Sequence, residues 1–125
     1  MEVLPVLSLE RRKALVVGGA GGGIGSAITH SLAQAGAHVS VITNDTSHAD
    51  SIHSEAKERG HDIHCHIKDV TDLKAFTTTV DDVIAANGSI HHLVNVVGGA
   101  EVSDWSRAKD YELEMFDRIM TRNLR

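Results

Sequence analysis

The sequence is poor in cysteine and proline and has no excess of positive charge. Its 125 residues include a single cysteine, Cys65, and a single proline. One cysteine cannot form an internal disulfide, which is typical of a reducing compartment, so we expect a cytosolic (cytoplasmic) protein. With 42% hydrophobic and 23% charged residues, the composition excludes disordered and fibrous proteins. The length predicts one folded domain over residues 1–125.

Long hydrophobic runs are also absent. No segment reaches the roughly 18 apolar residues that a membrane span requires, so we expect no membrane partner. The opening stretch MEVLPVLSLERRK has no basic residue ahead of its apolar ones, which is unlike a signal peptide. The formal net charge of -5 would repel a phosphate backbone, so nucleic acid is not expected as a partner either.

Apolar strand patterns alternate with helical patterns along the chain. The predicted strands are 13–17, 38–43, 62–67 and 90–97. The first predicted helix is 24–34, and the second is capped by residues 45–47 and ends near Arg59. The third follows residues 69–72 and ends at 87–88. The final predicted helix has Leu113, Phe116, Ile119 and Met120 on one face. This alternation indicates parallel βαβ units. No strand follows to pair with the open side of the fourth, so the pattern is that of half a larger sheet.

The stretch VVGGAGGGIGSA, residues 16–27, places six glycines within eight positions. A strand that leads into a glycine loop and a helix N-terminus is an anion site, because unpaired N–H groups and the helix dipole point to one place. A strict Gly-x-Gly-x-x-Gly does not fit, but Gly19, Gly23 and Gly25 form Gly-x-x-x-Gly-x-Gly. No Lys-Ser/Thr pair follows, which excludes a P-loop. A turn without a ligand is the alternative, although one or two glycines suffice for a turn.

Four motifs, in the right order, resemble those of the short-chain dehydrogenase/reductase family. The family's Thr-Gly-x-x-x-Gly-x-Gly appears as GGAGGGIG, residues 18–25, with glycine where threonine is usual. Its acidic residue after the third strand appears as Asp69, and its Asn-Asn-Ala-Gly appears as NVVG, residues 95–98. Near the C-terminus, RNL matches the motif around the family's helix asparagine, here Asn123. The resemblance covers nearly all of this chain but only about the first half of a family member.

The resemblance implies a Rossmann-type α/β fold with strand order 3-2-1-4, helices on both faces, and NAD(P) as cofactor. It implies that the full-length protein is an oxidoreductase that reduces a carbonyl or oxidises an alcohol of a small molecule, and that it forms homo-oligomers through the final helix. Asn123 is then the counterpart of the fourth member of the catalytic tetrad. The implied cofactor-binding residues are Gly19, Gly21, Gly22, Gly23, Ile24, Gly25, Thr43, Asn44, Asp69, Val70, Asn95 and Gly98.

The family's catalytic serine and Tyr-x-x-x-Lys have no counterpart in the sequence. The only tyrosine, Tyr111, is followed four residues later by Met115 instead of lysine. Because general acid catalysis needs a positioned proton donor, we expect this chain alone to be inactive in hydride transfer. Two alternatives stay open: a non-catalytic dinucleotide-binding or redox-sensing module, and an unstable fragment with an open strand edge.

The end of the second predicted strand bears on the choice between NAD and NADP. Family members that prefer NAD carry an acidic residue there, and the family's spacing from Gly25 puts Thr43 at that position, followed by Asn44. A neutral Thr43 leaves room for a 2′-phosphate and favours NADP. Asp45 lies about twenty residues past the last glycine, the general interval for a ribose-binding carboxylate, but capping the next helix is its favoured role.

Nine histidines are many for a chain of this length. His64 and His66 share one face of the third predicted strand, with His61 nearby and Cys65 on the other face, so a metal site is conceivable. Because this gives at most two strand ligands, we predict surface histidines and no metal. Trp105, in the loop after the fourth strand, is predicted to pack that loop, with contact to the substrate as the alternative.

Overall fold

The computed structural model describes residues 5–99, 103 and 105–124, so the ends of the predicted domain lie outside the described residues. The described part contains a four-stranded parallel sheet in the order β3-β2-β1-β4. The strands are β1 (Lys13–Val17), β2 (His38–Thr43), β3 (Ile63–Ile67) and β4 (His92–Asn95). The helices are α1 (Ile24–Gln34), α2 (Thr46–Arg59), α3 (Leu73–Asn87) and α4 (Leu113–Leu124). The predicted α/β fold and its strand order are confirmed.

The two central strands carry the core, and helices cover both faces of the sheet. On one face, Val16 and Val39 are fully buried against residues of α1 and α2. On the other face, Leu15 and Ile42 pack against Phe76 of α3. Full burial of such a side chain stabilises the fold by about 1.5–3 kcal/mol. β1 and β2 thereby form a rigid base whose carboxyl ends hold the loops described below.

Helix boundaries follow capping residues that are visible in the sequence. Asp45 precedes α2, and its Oδ1 accepts a hydrogen bond from the His48 N–H at 3.1 Å. Gly60 ends α2 with a left-handed φ of +68°, which glycine adopts without the steric cost of a Cβ. Asp72 and Gly88 frame α3 in the same way. These four positions explain why the predicted limits of α2 and α3 agree with the structure.

The two outer strands are shorter than predicted. Among the described residues β4 pairs with β1 alone, from Ala14 opposite His92 to Val17 opposite Asn95, so the paired part of β4 ends where β1 ends. The predicted range 90–97 was therefore too long at both ends. β3 begins one residue later than the predicted range 62–67.

β4 and α4 are the least covered elements of the described residues. β4 lies at the edge of the sheet and alternates half-buried with exposed positions, and Leu93 is 67% exposed. α4 contains no buried residue, and its Leu113 and Phe116 are exposed. Trp105 is 77% exposed, so the predicted packing of its loop is not seen among the described residues. Within that same part of the chain, no helix is both long and apolar enough to cross a membrane.

Candidate functional site

The glycine loop connects the end of β1 to the start of α1. It leaves the sheet at Gly18, and α1 begins at Ile24 with Gly23 as its N-cap. Gly23 has no side chain to bond the N–H groups of the first turn, and these groups have no partner within the helix. The helix dipole adds partial positive charge at the same point. This end of α1 can therefore bind an anion, and the exposed Ile24 side chain stands beside it.

Two of the loop glycines are required for packing. A Cβ on Gly25 would overlap the carbonyl oxygen of Gly18, so only glycine lets α1 approach the end of β1 this closely. A Cβ on Gly19 would lie 2.6 Å from Thr29 Oγ1. The buried Thr29 hydroxyl donates a hydrogen bond to the Gly19 carbonyl at 2.9 Å. Gly19 and Gly25 thus fix the loop against α1.

Two of the glycines between them, Gly22 and Gly23, face open space. Apart from the chain neighbours, no atom of the described residues lies within 4 Å of a Cβ built on Gly22 or on Gly23. The Gly22 N–H donates to Ser26 Oγ at 2.9 Å, which shapes the loop from inside. A Cβ on Gly21 would lie 3.1 Å from the His48 ring, so α2 borders the loop on that side. A ligand can therefore reach the backbone at Gly22 and Gly23.

The end of β2 combines a buried hydroxyl with a capping carboxylate. Thr43 is buried, and its Oγ1 accepts a weak hydrogen bond from the Asp45 N–H at 3.4 Å, while Asn44 is exposed. Asp45 Oδ1 accepts from Ser47 Oγ at 2.6 Å and from the His48 N–H. These bonds, that to Ser47 foremost, lower the pKa of Asp45. Asp45 therefore serves α2 as its cap, the role favoured from the sequence.

Asp69 follows β3 and closes a tight turn. Its Oδ1 accepts hydrogen bonds from the Thr71 N–H at 2.8 Å and from Thr71 Oγ1 at 2.7 Å. The backbone bond and then the hydroxyl bond lower the pKa of the Asp69 carboxyl. The Lys68 N–H donates to the Thr43 carbonyl at 2.8 Å, which ties this turn to the end of β2. Val70, next in the turn, packs against the buried residues of β1 and β2.

Asn123 on α4 forms hydrogen bonds with the loop that follows β4. Its Oδ1 accepts from the Gly99 N–H at 2.7 Å, and its Nδ2 donates to the Gly99 carbonyl at 3.0 Å. Nδ2 also donates to the Ile119 carbonyl at 2.8 Å. Within the same loop, Asn95 Oδ1 accepts from the Val97 N–H at 3.1 Å. The Asn123 amide, assigned to catalysis from the family motif, here bonds backbone groups and positions the loop at the end of β4.

The carboxyl ends of all four strands meet around a cleft of about 430 Å³. Five of the predicted cofactor-binding residues line it, namely Thr43, Asn44, Asp69, Val70 and Gly98. The other predicted residues stand outside this lining, namely Gly19, Gly21, Gly22, Gly23, Ile24, Gly25, Asn95 and Asn123. The glycines and Ile24 are nevertheless joined to the cleft, because the loop that holds them begins at Gly18, which is part of the lining.

Besides Thr71, three polar residues of the cleft lining were not identified from the sequence. Lys68, His48 and Arg122 line it together with the residues above. Lys68 directly precedes Asp69, so its position in the KDVTD motif was an available signal. His48 and Arg122 reach the cleft from α2 and α4. Arg122 directly precedes Asn123 in the RNL motif, whereas no sequence motif marks His48. Lys68 and Arg122 bring basic side chains to the cleft lining, and Asp69 brings a carboxylate.

Comparison with known proteins finds the same family throughout. The sequence model of the short chain dehydrogenase family matches residues 13–125. The chain is 30% identical over 116 residues to short chain dehydrogenase/reductase dpchG of Colletotrichum higginsianum, covering 93% of this chain and 42% of that protein. It is 34% identical over 128 residues to elsinochrome reductase 1 of Elsinoe fawcettii, covering 100% of this chain and 47% of that protein.

A solved structure agrees in fold as well as in sequence. NAD+-bound xylitol dehydrogenase superposes with a TM-score of 0.79 at 28% identity, over 93% of this chain and 44% of that one. The chain thus spans less than half the length of the relatives it matches. The matched family model begins at the first residue of β1 and includes the glycine loop, the Asp69 turn and α4. This chain belongs to the short-chain dehydrogenase family.

Proposed function

We propose that this chain is the dinucleotide-binding half of an NAD(P)-dependent oxidoreductase that interconverts a carbonyl and an alcohol. One observation carries the proposal: a glycine loop opens onto the uncapped N-terminus of α1 beside the Thr43 and Asp69 ends of the neighbouring strands. Ligands of open α/β sheets bind outside the carboxyl ends of the strands, at such a point. The relatives' names, a reductase and an NAD+-bound dehydrogenase, support the same chemistry.

The proposed binding mode assigns one part of the dinucleotide to each strand end. The pyrophosphate lies against the N–H groups of Gly23 and Ile24 and in the open space beside Gly22, where a ligand meets no side chain on the glycines. The adenine lies near Asp69 and Val70. The adenosine ribose lies at Thr43 and Asn44. Asn95 and Gly98 border the path of the nicotinamide half.

NADP is the proposed preference over NAD. The end of β2 offers neutral Thr43 and Asn44 to the ribose, and the nearby carboxylate of Asp45 is bonded to Ser47 and His48. Lys68, in the same cleft, adds positive charge that favours a 2′-phosphate.

The preference is tested with the Thr43→Asp variant. An added carboxylate repels a 2′-phosphate, so the ratio of the NADPH Kd to the NADH Kd is expected to rise about tenfold or more, about 1.4 kcal/mol. Thr43→Asn controls for the loss of the buried hydroxyl without adding charge. An unchanged ratio in the aspartate variant would show that Thr43 does not face the ribose.

The direct test of the proposal is dinucleotide binding by the purified chain. Isothermal titration with NADPH and with NADH, after circular dichroism has shown a cooperative unfolding transition, is expected to give one saturable site. A folded chain that binds neither dinucleotide would refute the proposal.

Catalysis is proposed for the full-length protein, not for this chain alone. Relatives are more than twice as long, and a positioned proton donor is needed for carbonyl reduction. Exposed apolar side chains on β4 and α4, such as Leu93 and Phe116, are consistent with cover by further chain or by a second subunit. We therefore propose a cytosolic homo-oligomer whose substrate is a small carbonyl or alcohol.

A non-catalytic dinucleotide-binding module is the second candidate. In this candidate the Asn123 amide, which bonds the Gly99 and Ile119 backbone, has a purely structural role. NADPH oxidation assays on the full-length protein with a panel of small ketones and aldehydes separate the two. Turnover supports the oxidoreductase, whereas tight dinucleotide binding without turnover of any substrate supports the module.

A further inference from the structure

Three polar side chains lie close together at the amino ends of β2 and β3, whereas the cleft lies at the carboxyl ends of the strands. His38 Nδ1 lies 2.6 Å from Asp62 Oδ2, and His64 Nε2 lies 3.0 Å from Asp62 Oδ1. The two imidazole rings are 4.8 Å apart, centre to centre. One carboxylate thus bridges two imidazoles, one on each strand.

The strand register holds these residues together. The Val39 N–H donates to the Asp62 carbonyl at 3.0 Å, and Ser40 lies opposite His64 in the β2–β3 ladder. His38, Asp62 and His64 therefore project from the same face of the sheet, because alternate residues of a strand share a face. Backbone pairing fixes their Cα positions, so little conformational entropy is lost when the side chains bind a common ligand.

The donor atoms match a transition-metal site. One nitrogen from each histidine and one Asp62 oxygen lie within 4.8 Å of one another. Two imidazoles and a carboxylate form a common ligand set for Zn²⁺, with bonds of about 2.0–2.2 Å and tetrahedral geometry. Neighbouring ligand atoms of such a tetrahedron are about 3.4 Å apart, so side-chain shifts of about 0.5–1.5 Å suffice.

The three side chains differ in how far they are exposed to solvent. The His38 side chain is 18% exposed, whereas those of Asp62 and His64 are 61% exposed. His38 is thus an anchored ligand, His64 is free to adjust, and water can fill a fourth position. Burial alone would raise the pKa of Asp62, but its interactions with His38 and then with His64 outweigh it, so the pKa is lowered.

We propose that His38, Asp62 and His64 form a binding site for a divalent first-row transition-metal ion, with Zn²⁺ as the preferred ion. The bound ion would join the edge strand β3 to β2 at their amino ends. β2 runs from His38 to Thr43, so the metal site and the dinucleotide site lie roughly 16 Å apart along this strand. Metal binding is therefore expected to proceed with or without NADPH.

The test is Zn²⁺ titration of the 125-residue chain by calorimetry, with His64→Ala and Asp62→Asn as variants. The wild type is expected to bind one Zn²⁺ at this site, and each variant at least tenfold more weakly. Because both residues are exposed, the variants should unfold at the wild-type temperature in EDTA. Zn²⁺ should raise the melting temperature of the wild type more than that of either variant.

His53→Ala is the matched control, since His53 is an exposed histidine of α2 outside the cluster. Cobalt provides an independent readout, because tetrahedral Co²⁺ absorbs strongly in the visible and the band should be lost in His64→Ala. Equal Zn²⁺ affinity in the wild type and His64→Ala would overturn the proposal. An equal loss of affinity in His53→Ala would overturn it too, since it would indicate diffuse binding to surface histidines.

Discussion

Gly23 offers a test of anion binding that leaves the fold intact. It is the N-cap of α1, and its φ of −107° is open to other residues. Beyond its chain neighbours, no atom in the described part of the chain lies within 4 Å of a Cβ built on it. In the Gly23→Asp variant, the carboxylate would cap the helix and occupy the place proposed for the pyrophosphate. The capping gain is a few tenths of a kcal/mol, and the ψ of −145° must relax for a non-glycine residue. We therefore expect the free energy of unfolding to change by less than about 1 kcal/mol.

The expected loss of NADPH affinity follows from Coulomb's law. Two unit charges about 4 Å apart repel by about 1 kcal/mol in bulk water and by about 4 kcal/mol at an effective dielectric constant of 20. Gly23 is exposed, so an intermediate value of about 2 kcal/mol applies, which corresponds to a roughly 30-fold increase in Kd. Calorimetric titration with NADPH measures this, and the effect should shrink as salt is raised.

Gly23→Asn is the control for this experiment. Asparagine has nearly the same size as aspartate and also caps helices, but it carries no charge. It should lose less affinity than aspartate, and the difference between the two variants measures the electrostatic part. If the aspartate variant folds and binds NADPH as the wild type does, the anion is not held at the N-terminus of α1. If both variants lose equal affinity, the charge argument is wrong and close approach alone matters.

Two further substitutions probe the packing around the site. Gly25→Ala forces a Cβ against the Gly18 carbonyl oxygen, so chemical denaturation should show a free energy of unfolding lower by about 2 kcal/mol or more. A decrease under about 0.5 kcal/mol would contradict the close approach of α1 to β1. Asn123→Ala removes three hydrogen bonds that α4 makes with itself and with the loop after β4. We therefore expect the free energy of unfolding to fall by about 1–2 kcal/mol and hydrogen exchange at the Gly99 amide to become faster. Unchanged exchange there would mean that Asn123 does not hold the loop in solution.

The fold was predictable because its determinants are local. The apolar runs of β1 and β2 are bounded by charge or glycine, and α2 begins after a capping Asp45 and ends at Gly60. The lengths of the outer strands were less predictable. β4 stops where β1 stops, at Asn95, and that limit is set by a partner some eighty residues earlier in the chain.

In the candidate site, too, the features determined by local sequence were predictable, and those determined by distant contacts were not. Motif spacing indicated Thr43 and Asp69, because the carboxyl ends of parallel strands meet at one edge of a sheet. Motif spacing could not separate the glycines that pack the loop from those that face open space, since this depends on how closely α1 approaches Gly18. The His38 and Asp62 pair was also missed. These residues are 24 positions apart and meet only through the β2–β3 register.

The motif match located Asn123 in the sequence but did not determine what its side chain contacts. A residue takes part in proton transfer only if a polar atom can reach the reacting group. Here both amide atoms of Asn123 already bond backbone groups, and the bonds to Gly99 connect α4 to the loop beside Gly98 at the cleft. In this structure Asn123 therefore holds one wall of the cleft in place through its bonds to Gly99. The hydrogen-exchange experiment on Gly99 measures that positioning directly, without requiring an active enzyme.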